Sequence, residues 1–424
     1  MFKPAIKIFK AILFFFCGVL LYAQESKVSE ITIEGNKRTK TSFIKKIIVV
    51  KEGSVLDTTK IASDLRRLKL LPGIAHAEYR LENKPDGSSC VTYTIVENFT
   101  LIPSLNIYTT NDEEVAYRVG LYEFNALGRN IIFGGFYQQD IFESYAINFR
   151  APYLFSNSFG LAANLQNLTT LEPVFFDNTA SNYRYNNKSI EVLGLYEINF
   201  NNRIELGINL FNEDYQYQFG ATSPEVPLAV NADKWLFKGI YEYNKLDYFY
   251  QYISGFKSQF IFQFVTSNSA ILQDFFIGRN DFLYFKRVGK KGNWANRFQM
   301  GFATNEDSPF APFSVDNNLN IRGVGNTIDR GTATLVLNTE YRHTWIEKNW
   351  FVLQSNVFID TGAWRNPGDE FGDFLNFNQT KFYSGIGLRL IHKKIFNAIL
   401  RIDYGVGLSS DSAQGIVFGI GQYF

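Results

Sequence analysis

The sequence predicts an all-β fold, a transmembrane barrel of about 16 antiparallel strands preceded by one small α+β domain. Three observations lead to this prediction. Phe (42 residues), Tyr (24) and Gly (32) are abundant, which is typical of many strands joined by turns. Beyond Thr100, apolar and polar residues alternate over long stretches. After the N-terminal region no run of about 18 apolar residues occurs, so no spanning helix is predicted.

The N-terminal region has the pattern of a secretory signal. Lysines are frequent among the first ten residues, and an apolar segment follows from Ala11 to Tyr22. The small residue Ala23 ends this segment, so residues 1–23 are predicted to be a cleaved signal peptide. The mature chain is therefore expected outside the cytoplasm. Cys90 is then its single cysteine, which leaves no partner for an intramolecular disulfide.

Residues 25–98 form the predicted small domain, with the element order β-α-α-β-β. Val28 to Glu34 alternates as a strand does. Thr41 and Asp57 are each predicted to cap a helix, and Pro72-Gly73 ends the second one. Two further strands complete the domain, Ile74–Glu82 and Cys90–Glu97.

Residues 100–424 form the predicted barrel, in which each strand turns one face to lipid and the other to a wet lumen. Ile190 and Val192 illustrate the apolar face, and Glu191 and Glu197 the polar one. A soluble sandwich with a polar exterior is the alternative that alternation leaves open. Short turns alternate with longer stretches, which are predicted to be outer loops: 170–186, 218–231, 304–331 and 362–379.

Composition argues against two classes of function. The net charge is +1 at pH 7, and this argues against nucleic acid as the main partner because phosphate binding needs a basic excess. The chain has three His residues, no metal-ligand spacing of His and Cys, and no Gly-x-Ser-x-Gly motif. Neither a metal site, a cofactor nor an enzymatic activity is therefore expected.

Several segments of the barrel region together carry a family resemblance. In chain order they are Asn125–Asn130, Ala151-Pro152-Tyr153, Ile321-Arg322-Gly323-Val324, Asn338–Arg342, Phe358–Gly362, Gly385–Arg389, Arg401–Gly405 and Phe418–Gly421 with Phe424. With residues 25–98, which resemble one POTRA domain, they are similar to the superfamily of outer-membrane assembly and translocation barrels of the BamA and TamA type. Val324 stands where that family usually has an aromatic residue.

The resemblance implies that Arg322 and Gly323 lie on a loop folded back into the lumen. Strand periodicity places Glu340 and Asp360 on the polar, inward faces of their strands. We therefore predict that Arg322 pairs with Asp360, and with Glu340, to lock the loop, because the planar guanidinium binds carboxylate bidentately. The alternative is a solvated arginine at the membrane surface. The family motifs also assign lumen positions to Arg342, Gly362, Arg389, Arg401 and Asp403.

The last strand is expected to carry Phe418, Gly421 and Phe424, with Phe418 and Phe424 on one outward face and Phe424 in the interfacial girdle. The resemblance implies a weak seam between the first and last strands. It also implies that the chain inserts or translocates other proteins at a Gram-negative outer membrane, with its N-terminal domain in the periplasm.

The partners implied are unfolded outer-membrane or exported proteins, outer-membrane lipids, and accessory periplasmic proteins or lipoproteins. Two alternatives stay open. One is a dedicated secretion channel or surface anchor for a single partner. The other is a passive porin, although a porin needs neither a POTRA domain nor the arginine loop.

Overall fold

The computed structural model describes residues 26–109, 115–176, 179–224, 226–268, 273–306, 308, 310–370, 372, 380–408 and 412–424. The predicted signal peptide lies outside these residues. Within them, neither helix is long and apolar enough to cross a membrane.

The N-terminal domain is a three-stranded sheet with two helices packed against it. Its elements are β1 (Val28–Glu34), α1 (Thr41–Ile47), α2 (Thr58–Lys69), β2 (Ile74–Asn83) and β3 (Ser89–Glu97). The central strand β3 runs parallel to β1 and antiparallel to β2. The predicted β-α-α-β-β order is confirmed. Asp57 caps α2 as predicted, but Thr41 lies inside α1 and its hydroxyl accepts a hydrogen bond from Asn36 instead.

The remaining strands build the barrel and its inserted loop. In chain order they are β4 (Leu101–Thr109), β5 (Val115–Ala126), β6 (Ile131–Gln139), β7 (Glu143–Ala151), β8 (Phe159–Phe176), β9 (Thr179–Asn199), β10 (Asn202–Gly220), β11 (Ala229–Asn244), β12 (Asp247–Phe249), β13 (Tyr252–Ser267), β14 (Phe275–Val288), β15 (Gly292–Ala303), β16 (Phe313–Val315), β17 (Asp329–Gly331), β18 (Ala333–Glu347), β19 (Phe351–Arg365), β20 (Lys381–His392), β21 (Ile399–Gly407) and β22 (Gln414–Ile420).

Sixteen of these strands, in the part of the chain that the structure describes, close an antiparallel barrel in which β22 lies beside β4. The predicted barrel of about 16 antiparallel strands is thereby confirmed. The three-residue strand β12 pairs with the start of β13. Strands β16 and β17 form a small hairpin within the long loop between β15 and β18.

Alternation places side chains as the sequence predicts. Ile190 and Val192 are exposed on the outer surface, whereas Glu191 and Glu197 are buried on the inside. Outward apolar side chains need no polar partner in hydrocarbon. The inward carboxylates have cationic partners, Lys238 for Glu191 and Arg67 for Glu197.

The barrel wall is uneven in height. Strands β8, β9 and β10 have 18, 21 and 19 residues, whereas β21 and β22 have nine and seven. The prediction of an outer loop over residues 170–186 is wrong, because β8 and β9 pair without interruption from Thr170 and Tyr185 to Phe176 and Thr179. Backbone pairing extends the β8–β9 hairpin through residues 170–186, even though the polar composition of this segment is that of a loop.

A carboxylate at the end of β3 holds the turn before α1. Glu97 accepts hydrogen bonds from the backbone N–H groups of Lys37 (2.9 Å), Arg38 (2.9 Å) and Thr39 (2.6 Å). Partial burial raises the pKa of the Glu97 carboxyl, but these three N–H groups outweigh burial and leave its pKa below the ordinary value of 4.5. The carboxylate thus stabilises the domain above pH 4.5, and this contribution is lost as pH falls through the lowered pKa.

We expect Glu97→Gln to destabilise the N-terminal domain by about 1 kcal/mol at pH 7, because a charge-assisted acceptor is lost. The loss should shrink as pH falls through the lowered pKa, because the wild-type carboxyl then becomes protonated itself. This loss of stability is measured by hydrogen exchange of residues 36–41 in the full chain, corrected for the intrinsic exchange rates at each pH. Glu82→Gln, at an exposed position on β2, should leave exchange unchanged. Equal effects of the two variants, or no dependence on pH, would contradict this role.

Candidate functional site

The loop between β15 and β18 folds into the lumen, and its tip is shaped by two polar side chains. The Asn317 side-chain oxygen accepts from the backbone N–H groups of Gly323 (2.9 Å) and Gly325 (3.0 Å). The Asp316 carboxylate accepts from the N–H of Thr327 (2.8 Å). Together they tie the two arms of the loop into a compact turn.

Gly323 is required at the tip for two reasons. Its φ is +93°, a region that L side chains rarely adopt. A Cβ atom at this position would also lie 2.6 Å from the backbone oxygen of Gly405 on β21. The loop backbone therefore touches the barrel wall directly, and this contact places the neighbouring Arg322 at a fixed depth.

Arg322 is fully buried and makes a two-pronged contact with Asp360. Its Nε and Nη2 donate to the two Asp360 carboxylate oxygens at 2.8 and 2.9 Å, and its backbone N–H donates to the same carboxylate at 3.1 Å. Its Nη1 donates to Glu340 at 2.6 Å and lies 3.6 Å from an Asp403 oxygen. The Phe358 ring centroid is 3.6 Å from the guanidinium carbon. The structure thus brings together the three residues that were predicted to lock the loop.

Glu340 is the centre of a larger group. Besides Arg322, it accepts from Arg342 Nε (2.5 Å) and Arg389 Nη2 (2.6 Å). Nearby, Arg401 Nη1 donates to Asp403 at 2.9 Å. We call this group the arginine cluster; it consists of Arg322, Arg342, Arg389, Arg401, Glu340, Asp360 and Asp403.

Strand register explains why the arginine cluster forms. Its wall members lie on the four adjacent strands β18 to β21, and neighbouring inward positions face one another across the ladder. Glu340 pairs with Phe358, Gly387 with Asp403, and Arg389 with Arg401. Since every second residue points inward, one register brings all these polar side chains to the same level of the lumen. The cluster is almost completely excluded from water.

Two predicted positions have other roles. Gly362 lies on β19 outside the arginine cluster, where a Cβ atom would lie 2.6 Å from the Trp364 ring. Its missing side chain makes room for that ring, which packs with Ile321 and Val324 of the loop. Val324, which departs from the family pattern, is thus a buried apolar contact of the loop.

The prediction for the residues around the last strand is wrong in part. Phe418 is 68% exposed on the outer surface, as expected. Strand β22 ends at Ile420, however, and Gly421 has a φ of +92°. The backbone therefore turns inward, and Phe424 packs in the lumen near Leu246 and Ile253 instead of occupying the outer girdle.

A second polar site joins the N-terminal domain to the barrel, and the sequence did not reveal it. Arg67 on α2 and Glu197 on β9 form an ion pair of 2.7 Å with both side chains 8% exposed. The Tyr153 hydroxyl donates to the same carboxylate at 3.0 Å. Tyr153 also packs into the hydrophobic core of the N-terminal domain, beside Phe43.

The turn that follows β5 makes a further contact with the N-terminal domain. Asn125 Nδ2 donates to the Thr39 hydroxyl at 3.0 Å, and the Lys40 N–H donates to the Gly128 oxygen at 3.0 Å. Both the Asn125–Asn130 segment and the Ala151-Pro152-Tyr153 turn, quoted above only for their resemblance, thus contact this domain. They fix it against the barrel rim at which its chain enters β4.

We expect Glu197→Gln to loosen this docking by about 3 kcal/mol, because it leaves the buried Arg67 without its counter-charge. Half-exposed Phe99, in the connection to β4, should then be cut faster by chymotrypsin in the full chain. Glu143→Gln, at an exposed position on β7, is the control. Unchanged cleavage after Glu197→Gln would show that the ion pair does not hold the domain.

Comparisons with known proteins bear on this architecture. A family model described as POTRA, surface antigen variable number repeat, matches residues 26–73. Comparison with curated protein sequences gives no match. The fold is similar to that of BamA from Haemophilus ducreyi lacking POTRA domains 1–3, with a TM-score of 0.56 and 15% identity, covering 93% of this chain and 83% of that chain.

Two further solved structures are similar. CdiB from Escherichia coli has a TM-score of 0.62 at 13% identity, covering 93% of this chain and 75% of that chain. CdiB from Acinetobacter baumannii has a TM-score of 0.57 at 13% identity, covering 93% and 73%. The chain therefore has a POTRA domain at its N-terminus, followed by a β-barrel. Its barrel has the fold of BamA and CdiB, so the predicted resemblance is confirmed.

Proposed function

We propose that this protein inserts other proteins into the outer membrane, or translocates them across it. The observation that carries this proposal is the low wall where the barrel closes. Strand β22 has seven residues and its neighbour β21 has nine, whereas a strand needs about 9–11 residues to cross the hydrocarbon core. A short strand contributes few ladder bonds at the closure and favours thin hydrocarbon beside it.

A seam of this kind is suited to receive a foreign strand. When β22 and β4 separate, each presents a row of unpaired N–H and C=O groups, and in hydrocarbon such groups must find a partner. An incoming strand of an unfolded outer-membrane protein satisfies them by pairing. In this proposal the seam recognises the backbone of the substrate, so substrates with many different sequences can pair with it.

The N-terminal domain supports the same function. Its sheet order is β1-β3-β2, so β2 is an edge strand that can bind an extended polypeptide by strand addition. The domain is docked on the barrel rim through Arg67 and Glu197. A segment bound at β2 is thereby held near the barrel, on the side that we assign to the periplasm.

The lumen argues against a passive porin. Porins need an open aqueous channel, whereas here the loop carrying Arg322 enters the lumen and is anchored to Asp360 and Glu340. No catalytic role is proposed. A channel dedicated to a single exported partner is the alternative form of the proposal.

The test is quantitative outer-membrane proteomics after depletion in the native host, with re-expression of the wild-type chain as control. A broad fall in β-barrel proteins supports a general insertase. Loss of one or a few exported proteins, with other barrels unchanged, supports a dedicated translocator. If the amounts of β-barrel proteins and of exported proteins both stay unchanged while small-solute uptake falls, the proposal is overturned in favour of a porin.

A further inference from the structure

The segment Gly421–Phe424, which follows β22, leaves the barrel wall and enters the lumen. The Gly421 N–H still donates to the Ile399 oxygen of β21 at 2.8 Å. The positive φ of Gly421 then turns the chain inward. A Cβ atom at this position would lie 2.9 Å from the Asn397 side-chain nitrogen, so both backbone conformation and space favour glycine.

Each of the next three side chains meets the arginine cluster. The Gln422 side-chain oxygen accepts from Arg389 Nη1 at 2.5 Å. The Phe424 ring centroid is 5.7 Å from the guanidinium carbon of Arg342. The Tyr423 ring centroid lies 4.5 Å from the guanidinium carbon of Arg322 and 4.8 Å from the guanidinium carbon of Arg401. The four residues Gly421–Phe424 thus leave the direction of β22, and the last three of them contact the arginine cluster.

Tyr423 makes the most specific of these contacts. It is 8% exposed, and with Phe358 it supplies a second aromatic ring to the Arg322 guanidinium. Its hydroxyl donates to the backbone oxygen of Asn317 at 3.0 Å. Asn317 is the residue whose side chain holds Gly323 and Gly325, so Tyr423 contacts both the arginine and the turn that presents it.

We propose that Tyr423 is a positioning residue that couples the last strand to the loop carrying Arg322. The backbone between β22 and Tyr423 is only two residues long, so a displacement of β22 from β4 moves Tyr423 off Arg322. The loop then keeps its carboxylate contacts but loses a ring and a hydrogen bond. Coupling between two sites is reciprocal, so release of the loop also loosens β22.

This inference rests on the proposed function only in assuming that β22 and β4 separate to receive a substrate strand. The coupling between Tyr423 and the loop is a property of the protein without substrate. The test is hydrogen exchange of the purified full chain in lipid nanodiscs, without any substrate. Two regions are compared, residues 316–328 of the loop and residues 414–424 around β22. Exchange in α2 of the N-terminal domain serves as the internal reference.

Tyr423→Leu should accelerate exchange at Gly323 and Gly325 about a hundredfold, since a desolvated cation–π contact and a hydrogen bond are both removed. Tyr423→Phe keeps the ring and loses only the bond to Asn317, so an increase of about fivefold is expected. Reciprocally, Arg322→Lys should accelerate exchange around β22. Tyr196→Leu removes an outward tyrosine from β9, away from both regions, and should change none of these rates.

Unchanged loop exchange in both Tyr423 variants overturns the coupling. If Tyr423→Leu does not fold, unchanged loop exchange in Tyr423→Phe overturns it alone. Exchange that rises equally in α2 would indicate general destabilisation and would also overturn it. Because the assay contains no substrate, failure of the coupling leaves the depletion experiment unaffected, and failure of the proposed function leaves these exchange rates unaffected.

Discussion

Arg322→Glu is expected to expel the loop from the lumen and to abolish function. The variant places a fourth carboxylate beside Glu340, Asp360 and Asp403, all of which are fully buried or nearly so. Removing one partner of a buried ion pair typically costs about 3–5 kcal/mol, and charge reversal adds repulsion to that loss. In cells depleted of the wild-type chain, the variant should fail to restore the proteins lost from the outer membrane, even though the variant itself is still inserted.

The second half of this experiment tests the contact directly. Adding Asp360→Arg to Arg322→Glu should restore function in part. Restoration is incomplete because Glu340 and Asp403 still face position 322. Lys290→Glu, in the exposed turn between β14 and β15, is the control and should behave as wild type. Full function of either single variant at position 322 or 360 would show that the loop is not locked by this pair.

Glu340→Gln is expected to cause a large loss of barrel stability. Its carboxylate accepts from Arg322, Arg342 and Arg389 at 2.5 to 2.6 Å. The amide has nearly the same shape but no charge, so four buried arginines then share the carboxylates of Asp360 and Asp403 alone. We expect a loss of about 3–5 kcal/mol, measured as a lower temperature at which the folded band disappears during heating in SDS.

Asp281→Asn is a matched control for this prediction. Asp281 is also a lumen carboxylate with two arginine partners, Arg297 at 2.9 Å and Arg279 at 3.2 Å, but its side chain is 16% exposed. Because water screens this pair, its loss should cost about 1 kcal/mol. Equal shifts for the two variants would mean that burial of the arginine cluster adds nothing to stability.

Much of the fold follows from local patterns. The change in composition near Thr100 separates the N-terminal domain from the barrel, and Asp57 marks the start of α2 because a side-chain cap acts on its own helix. Glu340 and Asp360 could be placed on inward faces from periodicity alone, since a strand alternates regardless of its neighbours. The pairing of Arg322 with both carboxylates needed the family resemblance as well, because nothing in the loop's own sequence says that it folds inward.

Local sequence patterns thus suffice for features that depend on residues close along the chain: the class of fold, the face of each strand and the start of α2. Long-range packing set how many arginines converge on Glu340, because this number depends on the register of β18 against β19 and of β19 against β20. It also decided that Tyr423 and Phe424 enter the lumen, since one positive φ at Gly421 overrides strand alternation. The docking of Arg67 on Glu197 likewise joins residues 130 positions apart, and such contacts depend on packing that no local pattern records.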